Sequence, residues 1–226
     1  MKPFALPLIF LALTGASLPQ VGTLSETTLR TQLVASAAAV SPADLSFERV
    51  TRLERKGGGS KVKQTRIERW DGARWSLVSI NGETPSNGEK AKAARDNSVP
   101  GYHQLAKIMA AATEQKLSAD GRTLLLVPVL PKGTVVADGK DISEHLRGEA
   151  VLGMRGGTPW VERLTVTAHE PFKLNLLIKV TRFEQVNDYR LDANGTPRLV
   201  AQSNGSVGTM FGISGGETSE VLYAYR

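Results

Sequence analysis

The fold is decided by residues 45–82, LSFERVTRLERKGGGSKVKQTRIERWDGARWSLVSING. Leu45, Phe47 and Leu53 alternate with polar neighbours, which is the two-residue period of a half-buried strand. Turn signals follow at Gly57 to Ser60, at Asp71-Gly72 and at Asn81-Gly82. The stretch predicts three strands in an antiparallel meander, and its second strand, Lys61 to Trp70, is polar enough to lie near an edge.

Helical spacing of apolar residues occurs twice outside this meander. Leu24 to about Ala39 is predicted to be an amphipathic helix, which begins with a capping box of Thr23 and Glu26. Tyr102 to Lys116 is predicted to be a second amphipathic helix, and a short helix is expected within Pro85 to Asn97.

The second half of the chain returns to strand patterns. The predicted strands are Thr123–Leu130, Arg147–Arg155, Trp160–His169, Leu174–Tyr189, Pro197–Gln202, Val207–Ile213 and Thr218–Tyr225. A loop is predicted at Val135–Ser143, and turns at Asn194-Gly195, Asn204-Gly205 and Gly215-Gly216. These patterns predict a mainly β, α+β domain in which helices cover one face of an antiparallel sheet.

The first residues have the layout of a secretory signal peptide. Lys2 precedes the apolar run Phe4 to Leu13, and the small residues Gly15, Ala16 and Ser17 follow it. We therefore expect a signal peptide at residues 1–17 and a single mature domain at 18–226, without a transmembrane segment; an uncleaved N-terminal anchor is the alternative. The chain has no Cys, which excludes disulfides, thiol chemistry and lipoprotein acylation at this signal.

Basic residues are in excess, with a formal net charge of +6. They are densest from Arg49 to Arg69, where Glu48, Glu54 and Glu68 are interleaved with them. This mixture is typical of solvated strand faces, and no recognition motif accompanies it, so no nucleic-acid partner is expected. A weak attraction to anionic membrane surfaces is consistent with the charge.

Motifs for binding metals or phosphate-bearing cofactors are missing from the sequence. His103, His145 and His169 have no metal-binding spacing, and the chain has no phosphate loop. We therefore predict no catalytic residue, no metal, no cofactor and no enzymatic activity. A hydrolase with a site scattered along the sequence, built on one of the three histidines, remains an alternative.

An apolar space is expected between the predicted sheet and its helices, and it is a packed core or a ligand pocket. Flexible thioether side chains suit a pocket that adapts to an acyl chain. The candidate lining residues are Met109, Leu126, Met154, Leu164 and Met210.

The element order resembles that of the periplasmic lipoprotein carrier and outer-membrane lipoprotein receptor superfamily. A first helix, the strand at Leu45–Val50, a Gly-rich turn, a strand pair through Trp70–Trp75, a helical insertion and a run of strands carry this resemblance. The segment from Arg74 to Pro85 is also similar to a stretch found in exported proteobacterial proteins of that type. The resemblance implies an antiparallel, unclosed β-barrel (a half-barrel) covered by two or three helices.

Two binding functions follow from these expectations. The first is a non-catalytic periplasmic protein that holds or transfers an apolar, lipid-like ligand, which the helix at Tyr102–Lys116 releases by moving. The second is an envelope protein–protein interaction module that uses an exposed strand edge, Lys61 to Trp70.

Overall fold

The computed structural model describes residues 24–95 and 98–226, so the predicted signal peptide lies outside the described residues. Three α-helices occur in this part of the chain: α1 (Glu26–Ala38), α2 (Asn87–Ala93) and α3 (Leu105–Ala110). The strands are β1 (Phe47–Gly57), β2 (Ser60–Trp70), β3 (Trp75–Ile80), β4 (Glu114–Leu117), β5 (Thr123–Val127), β6 (Val136–Ala137), β7 (Lys140–Asp141), β8 (Leu146–Arg155), β9 (Thr158–Ala168), β10 (Phe172–Lys173), β11 (Ile178–Leu191), β12 (Pro197–Met210) and β13 (Ile213–Tyr225).

Eleven of these strands form one antiparallel sheet. Its order is β3-β2-β1-β13-β12-β11-β9-β8-β5-β4, and β10 is hydrogen-bonded beside β11. The sheet is open, because β3 and β4 stand at opposite ends of this order. The predicted fold class, an unclosed antiparallel sheet with a few covering helices, is therefore confirmed. The predicted loop at 135–143 instead contains a small separate ribbon of β6 and β7.

The meander predicted from residues 45–82 is confirmed. β1 pairs with β2 from Phe47–Trp70 to Gly57–Ser60, and β3 pairs with β2 over Arg66–Trp70. Left-handed backbone at Asn81 and Gly82 makes the last predicted turn.

Helix α1 begins two residues later than predicted. Ser25 is its N-cap, and its hydroxyl accepts a hydrogen bond from Thr28 N at 3.2 Å. Glu26 is thus the first residue of the helix rather than the third residue after a Thr23 cap, and Thr23 lies outside the described residues. A capping box forms instead at α2, where Ser86 and Glu89 bond reciprocally.

The predicted helix at Tyr102–Lys116 is wrong in its second half. A 3-10 turn spans Tyr102–Gln104, α3 ends at Ala110, and the chain then enters β4. Thr113 N donates to Leu126 O at 3.0 Å, so pairing with β5 replaces the helical hydrogen bonds. Apolar residues at helical spacing indeed stop at Ala112.

Two predicted turns lie within strands. Asn204-Gly205 is part of the 14-residue β12, and Gly215-Gly216 is part of β13. The turn between these strands is at Phe211-Gly212, where both residues have positive φ. A Cβ on Gly216 would lie 2.9 Å from Ser206 O, so this glycine allows close backbone approach rather than a turn.

The core forms where α1 and α3 pack on each other and on the sheet. Tyr102 fixes this layer, because Val161 N donates to its hydroxyl at 2.9 Å and its ring meets Tyr189 edge-to-face. The fully buried apolar side chains include Leu29, Leu33 and Ala37 of α1, Met109 of α3, and Leu125, Val127, Leu146, Ala150 and Val161 of the sheet. Among the described residues, no helix combines the length and the apolar character needed to span a membrane.

The sheet has two halves, which are connected by a short stretch of strand pairing. β9 and β11 pair over only five residues, Arg163–Thr167 against Glu184–Asp188. We call β4, β5, β8 and β9, together with α1 and α3, the covered half. We call β1, β2, β11, β12 and β13 the long-strand half, because these strands have 11 to 14 residues each.

Candidate functional site

The five residues predicted to line a pocket do not come together. Met109 and Leu164 are buried in the core under the helices, 0% and 1% exposed. Leu126 is half-buried and alternates with the buried Leu125 and Val127, so it points away from the helices. Met154 lies half-buried near the end of β8, and Met210 is 55% exposed at the end of β12. Their role as a ligand lining stays a prediction.

Five aromatic rings gather on the inner, helix-side face of the sheet. We call Phe47, Trp70, Trp75, Tyr223 and Tyr225 the aromatic cluster. The ring of Phe47 lies at its centre, with centroids 5.6 Å from Trp75, 5.5 Å from Tyr223 and 5.3 Å from Tyr225. The Trp70 ring lies 5.5 Å from that of Trp75. These separations are typical of favourable edge-to-face and tilted pairs.

Connecting segments, rather than α1 and α3 alone, help to cover this cluster. Trp70 Nε1 donates to Pro42 O, and Trp75 Nε1 donates to Ser98 O, both at 3.2 Å. Burial raises the pKa of Tyr225 to about 12 and also raises the pKa of Tyr223. Both phenols are therefore neutral at physiological pH and present an apolar body with one polar tip.

A charged row borders the aromatic cluster on the same face. Glu68 is only 5% exposed; it accepts from Arg49 Nε at 2.9 Å and from an Arg66 terminal nitrogen at 2.8 Å. The Arg49 guanidinium also lies 4.0 Å from the centroid of the Trp75 ring, within cation–π range. Two guanidinium groups on one carboxylate leave this border electropositive.

Large apolar side chains are exposed at the far end of the long-strand half. Five of them, each more than half exposed, form what we call the apolar tip: Leu176, Leu177, Met210, Phe211 and Ile213. They come from two neighbouring turns, which are joined by a 3.0 Å hydrogen bond from Phe211 N to Leu177 O. Helices α1 and α3 do not reach this end of the strands.

The opposite, outer face carries a polar groove of about 560 Å³. Arg52 pairs with Glu220 at 3.0 Å across it. Hydrogen bonds from Lys56 and Lys61 lower the pKa of the neighbouring Glu54 to about 2. Gly205 lies in the floor with open space above it. The groove therefore has the balanced charge of an ordinary solvated sheet surface.

Comparisons with known proteins add little to this geometry. No family model matches the chain, and no curated protein matches it. Among solved structures, a LolA superfamily protein from Nitrosomonas europaea is similar over 86% of this chain and 91% of that chain. The identity is 10% and the TM-score is 0.36, values too low to transfer a site or an activity.

Two of the three histidines are neighbours, because His169 N donates a hydrogen bond to His145 O at 3.0 Å. Burial lowers the pKa of His103, and its Nδ1 has no hydrogen-bond partner within the described residues. The His145 ring stacks on Phe172 with centroids 4.6 Å apart, and His169 is exposed at the end of β9. No group of three potential metal ligands occurs in residues 24–95 and 98–226.

A buried serine next to His145 holds a turn. The Ser143 hydroxyl donates to Asp141 Oδ1 at 2.6 Å and accepts from the backbone nitrogens of Thr134 and Val135. These contacts organise the β6–β7 ribbon, and they differ from the contact with an imidazole base that activates a nucleophile.

The strand edge predicted to bind a partner protein, Lys61 to Trp70, is only partly free of a neighbouring strand. β3 covers β2 over Arg66–Trp70, which leaves the outer side of Ser60–Gln64 without a neighbouring strand. Lys61 and Lys63 are exposed there, and lysines at an open edge oppose pairing with another strand.

Sequence reasoning missed the aromatic cluster because its members are spread from Phe47 to Tyr225 and aromatic residues make up only 6% of the chain. A local signal was present. Trp70 and Trp75 flank the Asp71-Gly72 turn, and paired hairpin strands place such flanking residues side by side.

Proposed function

We propose that this protein is a non-catalytic binding protein of the cell envelope that holds or transfers an apolar, lipid-like ligand. The observation that carries the proposal is the aromatic cluster with its charged row, on the inner face of an open sheet. An amphiphile has the same division into an apolar chain and a polar head. The ligand's chain would lie along the rings of Phe47 and Trp75, and its head would lie toward Arg49 and Arg66.

The energetics of such binding are those of burial. Each methylene removed from water contributes about 0.8 kcal/mol, so an acyl chain gains enough to offset its lost freedom of motion. Phe47 and Trp75 are 0% and 3% exposed, so the connecting segments around Pro42 and Val99 would have to shift to admit the chain. The hydrogen bonds from the indole nitrogens of Trp70 and Trp75 to these segments would then break. No bond is made or broken in this function.

Native mass spectrometry of the protein purified from a bacterial periplasm is the first test. Solvent extraction and lipid analysis of the same sample would identify the ligand class. A lipid or lipopeptide at near-stoichiometric amount supports the proposal. An apo mass that persists after incubation with fatty acid or phospholipid contradicts it.

Tryptophan fluorescence can locate the ligand, because bromine atoms on an acyl chain quench tryptophans that they touch. In the Trp160→Phe variant, Trp70 and Trp75 are the remaining tryptophans, and a brominated fatty acid is expected to quench them. The control, Trp70→Phe with Trp75→Phe, retains Trp160 on β9. It should be quenched little under conditions in which native mass spectrometry shows the fatty acid bound to this variant as well. Equal quenching of the two proteins would place the ligand elsewhere.

Export is part of the proposal. Residues 1–17 would direct the chain to the periplasm and be removed there, leaving 18–226 as one domain without a lipid anchor. N-terminal sequencing of the protein from fractionated cells tests this directly. An intact Met1 in a membrane fraction would instead support an uncleaved anchor.

A further inference from the structure

The apolar tip is unusual because stability alone does not favour its composition. Leu176 is 98% exposed and Phe211 is 67% exposed, so neither side chain gains much from folding. Phe211 also has a φ of 52°, a left-handed conformation for which Gly, Asn or Asp is better suited. A bulky aromatic side chain held outward in strained backbone indicates selection for a contact outside the chain.

The surroundings of the tip are strongly basic. The strand ends that meet there (residues 54–63, 173–182 and 207–217) carry only two carboxylates, Glu54 and Glu217. They carry seven cationic side chains: Arg55, Lys56, Lys61, Lys63, Lys173, Lys179 and Arg182. The surplus of five at this end compares with a net charge of +6 for the whole chain. Most of the excess positive charge is therefore concentrated around exposed apolar side chains.

One pair of these cations faces each other directly. Lys173 and Lys179 are opposite in the β10–β11 pairing, an arrangement that destabilises a sheet. Phe172, which is 5% exposed, anchors β10 and fixes this register. Neither lysine has a carboxylate partner within the described residues. An anion outside the chain would relieve the repulsion.

We propose that the apolar tip docks on an anionic lipid bilayer. Phe211, Leu176 and their neighbours enter the boundary between headgroups and acyl chains, and the lysines lie at the level of the lipid phosphates. This combination of apolar insertion and electrostatic attraction is the one by which surface-bound proteins hold anionic membranes. The proposal concerns the outer end of the long strands, and it stands whether or not the aromatic cluster binds a lipid.

Co-sedimentation with vesicles tests the proposal on the purified protein. Vesicles that contain phosphatidylglycerol should carry down much more protein than vesicles of phosphatidylcholine alone. The difference should shrink as salt rises, because the Debye length is about 10 Å at 0.1 M salt and shortens further above it. Equal binding to both vesicle types, or none to either, would overturn the proposal.

Two substitutions remove the apolar contact and place two carboxylates at the tip, and both changes oppose binding to an anionic surface. Phe211→Asp with Leu176→Asp should lower partitioning onto anionic vesicles more than about tenfold. Asp tolerates the left-handed backbone at 211, so the variant should fold as the parent does. Leu117→Asp is the matched control, since Leu117 is 67% exposed on β4 in the covered half; it should sediment close to the parent.

A charge reversal separates membrane binding from stability. Lys179→Glu turns the like-charged pair with Lys173 into an opposite pair, so its thermal midpoint should equal or exceed that of the parent. Its binding to anionic vesicles should nevertheless fall several-fold. Unchanged vesicle binding would contradict the proposal.

Self-association is the rival use of the tip. If Phe211→Asp abolished a dimer seen by sedimentation velocity while vesicle binding stayed at the parental level, the tip would be an interface between copies, and the membrane proposal would be wrong. Quenching by the brominated fatty acid is measured at Trp70 and Trp75, which lie in the aromatic cluster. Its loss would therefore affect neither the vesicle-binding result nor the sedimentation-velocity result.

Discussion

The covered half and the far end of the long-strand half belong to one sheet but bury their residues very differently. Under α1 and α3, side chains such as Leu33 and Leu146 are fully buried. At the far end of β12 and β13, Met210 and Ile213 are more than half exposed. The sheet thus continues well beyond the helices that cover it. The difference teaches that one core, shared by the covered half and by the near ends of the long strands around Phe47, holds the fold, whereas the apolar tip at their far end lies outside that core.

The difference in burial can be tested by truncating one apolar residue in each half and comparing the loss of stability. Leu33→Ala should lower the free energy of unfolding by about 2–5 kcal/mol, because it leaves a cavity under α1. Phe211→Ala should change it by less than about 0.5 kcal/mol, because Phe211 is largely exposed. Urea unfolding of both variants measures the contrast. Similar losses would show that the tip contributes to the fold.

The charged row can be compared with an exposed pair of the same kind. Glu68→Gln should cost about 1–3 kcal/mol, since it weakens the bonds from Arg49 and Arg66 in a buried setting. Glu220→Gln removes the charge partner of Arg52 on the outer face, where both side chains are more than half exposed, and should cost less than about 1 kcal/mol. Chemical unfolding at one pH gives both values. A cost for Glu220→Gln as large as that for Glu68→Gln would contradict the ranking.

Two glycines within β12 differ in the space that a Cβ would find. A Cβ on Gly208 would collide with the carbonyl oxygen of Lys179, so Gly208→Ala should destabilise the protein by about 1 kcal/mol or more. Gly205 has open space around the same position, so Gly205→Ala should be neutral or slightly stabilising. Thermal unfolding distinguishes them. Equal thermal stability of the two variants would mean that β11 and β12 are not closely apposed at Gly208.

The smallest expected effect concerns pH. Because burial lowers the pKa of His103 in the folded protein, the unfolded chain binds more protons once pH falls below the ordinary value of 6.5. Stability should therefore decrease as pH falls through that value, and level off below the folded pKa. His103→Gln should show a smaller decrease, whereas His169→Gln, at an exposed site, should follow the parent. A full decrease in His103→Gln would rule His103 out as the cause.

Local patterns predicted the parts of the fold that local rules control. The meander at 45–82 followed from alternation and from the turn at Asp71-Gly72, and α1 followed from Leu29, Leu33 and Ala37 at helical spacing. The turn predicted at Gly215-Gly216 is wrong because glycine has two uses, positive φ and close strand approach, and these two glycines have the second. The turn predicted at Asn204-Gly205 is also wrong, and Gly205 has neither use, since a Cβ there would meet open space. Sequence alone does not say which use applies.

The candidate sites were less predictable than the fold. The aromatic cluster depends on the pairing of β1 with β13, whose residues are far apart in the chain. The apolar tip depends on Leu177 and Phe211 meeting across two turns. Neither pairing can be predicted from a short stretch of sequence. The prediction of the lining residues therefore rested on side-chain chemistry alone, without the positions of those side chains in the fold.

The place of β13 in the sheet has a consequence for folding. β13, residues 213–225, lies between β1 and β12 near the middle of the sheet, although β1 is more than 150 residues away along the chain. Until β13 pairs, β1 and β12 each have an open strand edge, and pairing over such a sequence separation slows folding. A truncation that removes these residues would not trim an end of the sheet but divide it, leaving β1 to β3 without strand pairing to the rest of the sheet.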